Sequence, residues 1–171
     1  MTDHAHMPDP MRVARRLPPH SLIILRDYDH ADRLALARQW AKACRENHCL
    51  FSVGGDAQLA RRVRADGIHW PEKLLPRKPG HKFTITTTAT HSRKALMRAQ
   101  KAGIPMALIS PVFATTSHPG AKPLGVLNYR RMVRGVRIAI GVLGGITAQT
   151  ARRLVHPRPH ALAAITAFLA P

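Results

Sequence analysis

Ile109-Ser110-Pro111-Val112-Phe113-Ala114-Thr115-Thr116-Ser117-His118-Pro119-Gly120 reads as the end of a buried strand that runs into a loop of hydroxyls, one histidine and a Pro-Gly turn. Further along, Gly144-Gly145-Ile146-Thr147 reads as a strand end, a glycine pair and the cap of a helix. Glycine lets backbone N–H groups approach an anion closely, and a helix start adds the positive end of its dipole. Gly144, Gly145 and Thr147 therefore form a candidate phosphate seat. A plain strand-to-helix turn is the other reading of a glycine pair placed this way.

Immediately upstream, Met106-Ala107-Leu108-Ile109 is a continuous apolar run, as expected of a strand covered on both faces. Similar strand-like segments recur. Leu22-Ile23-Ile24-Leu25 delivers Arg26-Asp27-Tyr28-Asp29, and Cys49-Leu50-Phe51-Ser52-Val53 ends in Gly54-Gly55-Asp56. Asp66-Gly67-Ile68-His69-Trp70, residues 83–88, 136–142 and 161–165 complete the set. Helical segments lie between them at 11–16, 34–45 (capped by Asp29 or Asp32), 58–64, 90–100 (stopped by Gly103), 127–133 and 147–155. Trp40 falls on the apolar stripe of its helix and reads as core. Residues 74–82 form a basic surface loop. Alternating strand and helix argue for a parallel α/β sheet. Motifs placed at strand C-terminal ends favour a TIM-like (β/α)8 barrel. The competing doubly wound sheet lacks a Gly-rich fingerprint after an early strand.

With 171 residues and 45% hydrophobic content, the chain is expected to form one domain over residues 1–171. No apolar run approaches the roughly 20 residues of a membrane span, and no leader pattern is visible, so a cytoplasmic protein without membrane contact is expected. Cys44 and Cys49 offer neither a disulfide framework nor metal spacing and read as core filler. Lys and Arg number 27 against 9 Asp and Glu, giving +18, which raises nucleic-acid binding. The arginines are spread through almost every helical segment and no exposed aromatics are interleaved to stack bases, so a solvated basic surface that attracts small phosphorylated substrates is preferred over nucleic acid.

Taken in this order and spacing, the Ile109–Gly120 and Gly144–Thr147 stretches resemble the thiamine phosphate synthase and TenI family of (β/α)8 barrels. Asp66-Gly67-Ile68-His69-Trp70 resembles that family's Asp-Gly-Val-His-Leu signature, and Thr2-Asp3 matches the pair that ends its first strand. The resemblance implies thiamine biosynthesis: a transferase joins hydroxymethylpyrimidine diphosphate to thiazole phosphate, yielding thiamine phosphate and pyrophosphate, with Mg²⁺ as cofactor. It implies that Arg26 contacts the diphosphate, that Thr115 and Ser117 supply loop hydroxyls, and that Gly144, Gly145, Ile165 and Thr166 seat the thiazole phosphate. His69 and His91 match family histidines, or are satisfied core residues. The barrel is expected to be truncated at its first strand and to lack most of its eighth helix, with open strand edges that favour a homo-oligomer.

Departures from the family pattern are concentrated at the metal and diphosphate. Ile24 and Tyr28 replace a glutamine and a lysine around Arg26, and His118 replaces the loop lysine that meets pyrophosphate. Gly55 and Leu74 stand where the two Mg²⁺ carboxylates belong. Asp56 and Glu72 are the candidate substitute ligands; alternatively Arg61, Lys73 and His118 meet the diphosphate as cations. Pro111 occupies the position of the tautomerase branch's catalytic histidine, which points to the synthase branch. The expectation is a retained phosphate seat, an eroded metal site and weak or absent turnover. A non-catalytic protein that binds thiazole phosphate is the alternative.

Overall fold

The computed structural model describes residues 1–4, 7–76, 83–115 and 120–165, grouped in two compact units. The described part of the first comprises residues 1–4, 7–69 and 83–86, and that of the second comprises 70–76, 87–115 and 120–165.

In the first unit the elements are α1 (Pro10–Arg15), β1 (Leu22–Leu25), α2 (Arg33–Glu46), β2 (Leu50–Gly54), α3 (Ala57–Arg62) and β3 (Gly67–Trp70), whose last residue belongs to the second unit. β1 pairs parallel to β2 from Leu22 opposite Leu50 to Leu25 opposite Val53, and β2 pairs parallel to β3 from Ser52 opposite Gly67 to Gly54 opposite His69. Ile23, Ile24 and Leu25 are all buried, as an uninterrupted apolar strand requires. Asp32 starts α2 by accepting from the Ala35 amide, and Leu36, Ala37, Trp40, Ala41 and Cys44 turn one stripe of that helix into the core. Trp40 is 1% exposed, which agrees with a packing role. Burial pushes the Cys44 thiol up to about 12 and raises that of Cys49, so both are inert core residues. The Thr2 amide donates to Ile24 O at 2.9 Å, and its hydroxyl accepts from Arg26 N and donates to the Asp27 carboxylate. Thr2-Asp3 thus lies alongside β1, where the end of a preceding strand was expected.

The second unit holds most of β4 (Ile85–Thr90), then α4 (Arg93–Lys101), β5 (Met106–Ile109), α5 (Gly125–Val133), β6 (Ala139–Val142), α6 (Ala148–Ala151) and β7 (Ala161–Leu162), with a 3₁₀ turn at Glu72–Leu74. All pairings are parallel and follow chain order: Thr90 opposite Ile109, Ile109 opposite Val142, and Val142 opposite Leu162. Leu96, Ala107, Ile109, Tyr129, Ile140 and Val142 form the centre of its core. Strand, helix and next parallel strand thus repeat in both units, the TIM-like α/β plan. Seven strands are present among the described residues, not eight.

Several boundaries differ from the sequence expectation. β4 extends to Thr90, and Ser92 caps α4 by accepting from the Ala95 amide. α6 is a single turn instead of spanning 147–155: its start is fixed by a reciprocal capping box of Thr147 and Thr150, and past Ala151 the Arg153 and Leu154 amides reach back only three residues, to Thr150 O and Ala151 O, so the α-helical ladder stops. β7 is two residues long where 161–165 was expected. Among the described residues no helix is long and apolar enough to cross a membrane.

Candidate functional site

The loop after β5 is laced to the loop after β6 within the second unit. Val112 N donates to Leu143 O at 2.9 Å and Phe113 N to Gly144 O at 3.0 Å. Gly144 and Gly145 adopt φ of 94° and 61°, the left-handed region that glycine enters freely. A Cβ on Gly144 would lie 2.7 Å from Pro111 Cβ; one on Gly145 would overlap the Ala114 carbonyl oxygen and lie 2.8 Å from Phe113 Cβ. The glycines are therefore required by the protein's own packing, whatever ligand is present. Among the described residues, the amides of Gly144, Gly145 and Ile146 have no hydrogen-bond acceptor. An anion at this loop would be met by those amides, because a helix of four residues has few aligned peptide dipoles to add. Thr147 is occupied by its capping box, and Thr150 Oγ1 donates to Gly145 O at 2.8 Å, fixing the turn. Ile165 is buried and Thr115 half-buried, whereas Ser117, His118 and Thr166 lie outside the described residues.

His91, at the end of β4, is tied on two sides. Its amide donates to Glu72 Oε2 at 2.8 Å, and its Nδ1 lies 2.7 Å from Ser110 O. A carbonyl only accepts, so the ring proton sits on Nδ1, and Nε2 carries the lone pair in the neutral imidazole.

At the strand ends of the first unit, Arg26 follows β1 directly, and its charge lies near Tyr28, where it opposes the upward push that burial gives the phenol pKa. Arg33, the first residue of α2, donates from Nε to Asp27 O at 3.1 Å and from Nη2 to Gly54 O at 2.6 Å. Its guanidinium lies 5.2 Å from the Tyr28 ring centroid, and Nη1 is 4.0 Å from Asp56 Oδ2. Sequence reasoning passed over Arg33. One signal was available: a cation at the first helical position opposes the helix dipole and so needs a tertiary reason. His69 is 1% exposed; burial first, and then the Arg26 charge, hold its pKa down to about 3, so it is a neutral core histidine.

The described residues do not fit Mg²⁺. That ion demands near-octahedral oxygen ligands at about 2.1 Å. Gly55 and Leu74 provide no carboxylate, and Leu74 is 56% exposed on the 3₁₀ turn. Asp56 is the N-cap of α3, its Oδ1 accepting from Gln58 N at 3.0 Å and Leu59 N at 2.9 Å, while its other oxygen faces the Arg33 cation. Glu72 holds the His91 amide. Asp56 and Glu72, the expected substitute ligands, are thus each engaged by backbone amides. Among the described residues no three His, Cys, Asp or Glu gather as a metal set. Asp56→Ala is accordingly expected to cost about 1 kcal/mol in urea unfolding through the lost cap, with no change in how the protein responds to Mg²⁺.

The thiamine monophosphate synthase family, TMP-TENI, matches residues 7–168. A thiamine-phosphate synthase of Synechococcus is 31% identical over 142 residues, 81% of this chain and 40% of that protein. One of Geobacillus kaustophilus is 32% identical over 145 residues, 81% of this chain and 65% of that protein. The chain thus spans less than two thirds of the length of either relative. Among solved structures, a thiamine phosphate pyrophosphorylase from Pyrococcus furiosus matches with a TM-score of 0.79 at 22% identity, over 96% of this chain and 83% of that one, a likeness of fold. Since the family match takes in nearly all of the sequence and relatives at about 30% identity agree with it, this chain belongs to the thiamine monophosphate synthase (TMP-TENI) family.

Proposed function

We propose that this chain works in thiamine biosynthesis as a transferase of the thiamine-phosphate synthase type. The observation that carries the reading is the interlocked pair of loops after β5 and β6, which holds the Gly144, Gly145 and Ile146 amides without acceptors among the described residues. Such amides suit a phosphate monoester, and the family assigns the thiazole phosphate to this loop. In the reaction, the bond between the pyrimidine methylene carbon and the diphosphate oxygen breaks, its electron pair leaves with pyrophosphate, and the thiazole nitrogen supplies the pair that forms the new C–N bond. Negative charge develops on the leaving group, so cations placed there lower the barrier. Arg26, at the end of β1, is the residue this reading assigns to that task, with Thr115, Ser117 and His118 contributed by the loop after β5.

A second reading, a non-catalytic protein that retains thiazole phosphate, is favoured by the commitment of Asp56 and Glu72 to backbone amides. Turnover with both substrates, measured with Mg²⁺ and with EDTA, separates the two. Thiamine phosphate formation well below that of an intact metal-bearing synthase is expected. Full Mg²⁺-dependent turnover surviving Asp56→Ala with Glu72→Ala would mean that the metal has other ligands. Thiazole phosphate binding with no turnover in any condition would establish the binding protein.

A further inference from the structure

We propose that the diphosphate end of the substrate is met on the first unit by the fixed Arg33 guanidinium, with Arg26 nearby beside Tyr28, in place of a divalent cation. This rests on the synthase reading for the identity of the ligand, and on the geometry of the first unit for the rest.

Arg33 carries five N–H donors, of which one on Nε and one on Nη2 are used by the Asp27 and Gly54 carbonyls. Asp56 Oδ2, at 4.0 Å from Nη1, is beyond hydrogen-bond reach. The other three N–H groups therefore have no acceptor among the described residues, on a side chain only 16% exposed. A part-buried fork left with open donors is suited to an oxyanion with several oxygens.

The group is also pre-organised. Two carbonyls at the ends of β1 and β2 pin the guanidinium edge, and the Tyr28 ring supports its face. The Arg26 charge also lies near Tyr28, whose hydroxyl lies over Gly54, where an added Cβ would come within 2.9 Å of it. Both arginines thus neighbour Tyr28. Of the acidic neighbours, Asp27 is engaged by the Thr2 hydroxyl and the His4 amide, and Asp56 by its capping bonds. Asp27 forms no side-chain ion pair with Arg33, and Asp56 forms only a long one, 4.0 Å from Nη1 and without a hydrogen bond, which an arriving anion would displace. Capping two carbonyls needs no more than two donors, whereas this site holds a permanent charge whose remaining donors await an anion. The family places a metal carboxylate at the position of Gly55; here the neighbouring cation is a side chain.

The test uses inorganic pyrophosphate titrated calorimetrically into the full chain at physiological salt. Saturable binding in EDTA is expected, not tightened by Mg²⁺. Arg33→Met should weaken it on the order of tenfold or more, the loss of a charge-assisted contact, with Arg33→Lys in between because it keeps the charge without the fork. Arg130→Met on α5, which removes one exposed charge, should leave binding unchanged and so controls for the basic surface. Binding that requires Mg²⁺, or Arg33→Met binding as tightly as the parent, overturns the proposal. Should Arg33→Met fail to fold, the EDTA titration of the parent protein and Arg33→Lys still decide it. Pyrophosphate binding in EDTA without any turnover would remove the synthase reading and leave this site standing; turnover strictly dependent on Mg²⁺ would do the reverse.

Discussion

Gly145→Ala is expected to destabilise the protein by about 3 kcal/mol, through the sum of a strained backbone and two weakened hydrogen bonds. At φ 61° an alanine pays roughly 1 kcal/mol or more for the left-handed conformation alone. The new Cβ would overlap the Ala114 carbonyl and press on Phe113 Cβ at 2.8 Å, and both obstacles belong to the loop after β5. Relief requires that loop to move, which stretches the bonds from Val112 N to Leu143 O and from Phe113 N to Gly144 O, each contributing about 1 kcal/mol. Gly103→Ala provides the control. Gly103 has φ 74° but nothing within 4 Å of an added Cβ, so only the backbone cost of about 1 kcal/mol remains. Urea unfolding of both variants checks the difference; equal losses would mean that the loop after β5 yields freely. Phosphate binding by Gly145→Ala must accordingly be compared at matched folded fraction, since lost affinity alone does not distinguish a blocked seat from a displaced loop.

The alternating architecture was legible because β1 and β5 are short uninterrupted apolar runs, β2 is broken only by Ser52, and each long helix carries one apolar stripe. These are local signals, and local signals survive without knowledge of neighbours. α6 was read too long because Leu154 and Val155 continue an apolar spacing; three-residue turns from Arg153 N to Thr150 O and from Leu154 N to Ala151 O end the helix instead, and Leu154 is buried from outside it. Arg26 was legible as a strand-end residue. Arg33 was not, because its partners are two backbone carbonyls, and only the pairing of β1 with β2 brings Asp27 and Gly54 within reach of one side chain. Asp56 illustrates a competition between two readings of the same residue. A carboxylate just before Ala57-Gln58-Leu59 is a capping signal, and amides two and three residues away claim its oxygen at less entropic cost than ligands gathered from elsewhere.

A second large effect is expected from pH. His69 is neutral in the folded protein because burial, and then the Arg26 charge, hold its pKa near 3, whereas in the unfolded chain it titrates near 6.5. Between those values the unfolded state binds the proton and the folded state does not, so stability falls as pH falls. The contribution is fully present above about pH 6.5, declines below it and levels off near pH 3; from pH 7 to pH 5 the loss from this residue amounts to about 2 kcal/mol. His69→Gln removes the titration while keeping a polar side chain of similar length. Its stability at pH 7 is expected to be lower, since a 1% exposed side chain is replaced in a packed interior. Its decline between pH 7 and pH 5, however, should be shallower than the parent's by about 2 kcal/mol when both are followed by urea unfolding. Parallel declines would show that His69 accepts a proton in the folded state. Such a proton would set a second cation beside Arg26. With the imidazole neutral, the guanidinium is the charge offered there to the diphosphate proposed above, and the same titration series, repeated with pyrophosphate present, should show stabilisation of the parent that is retained at pH 6, where folded His69 is still unprotonated.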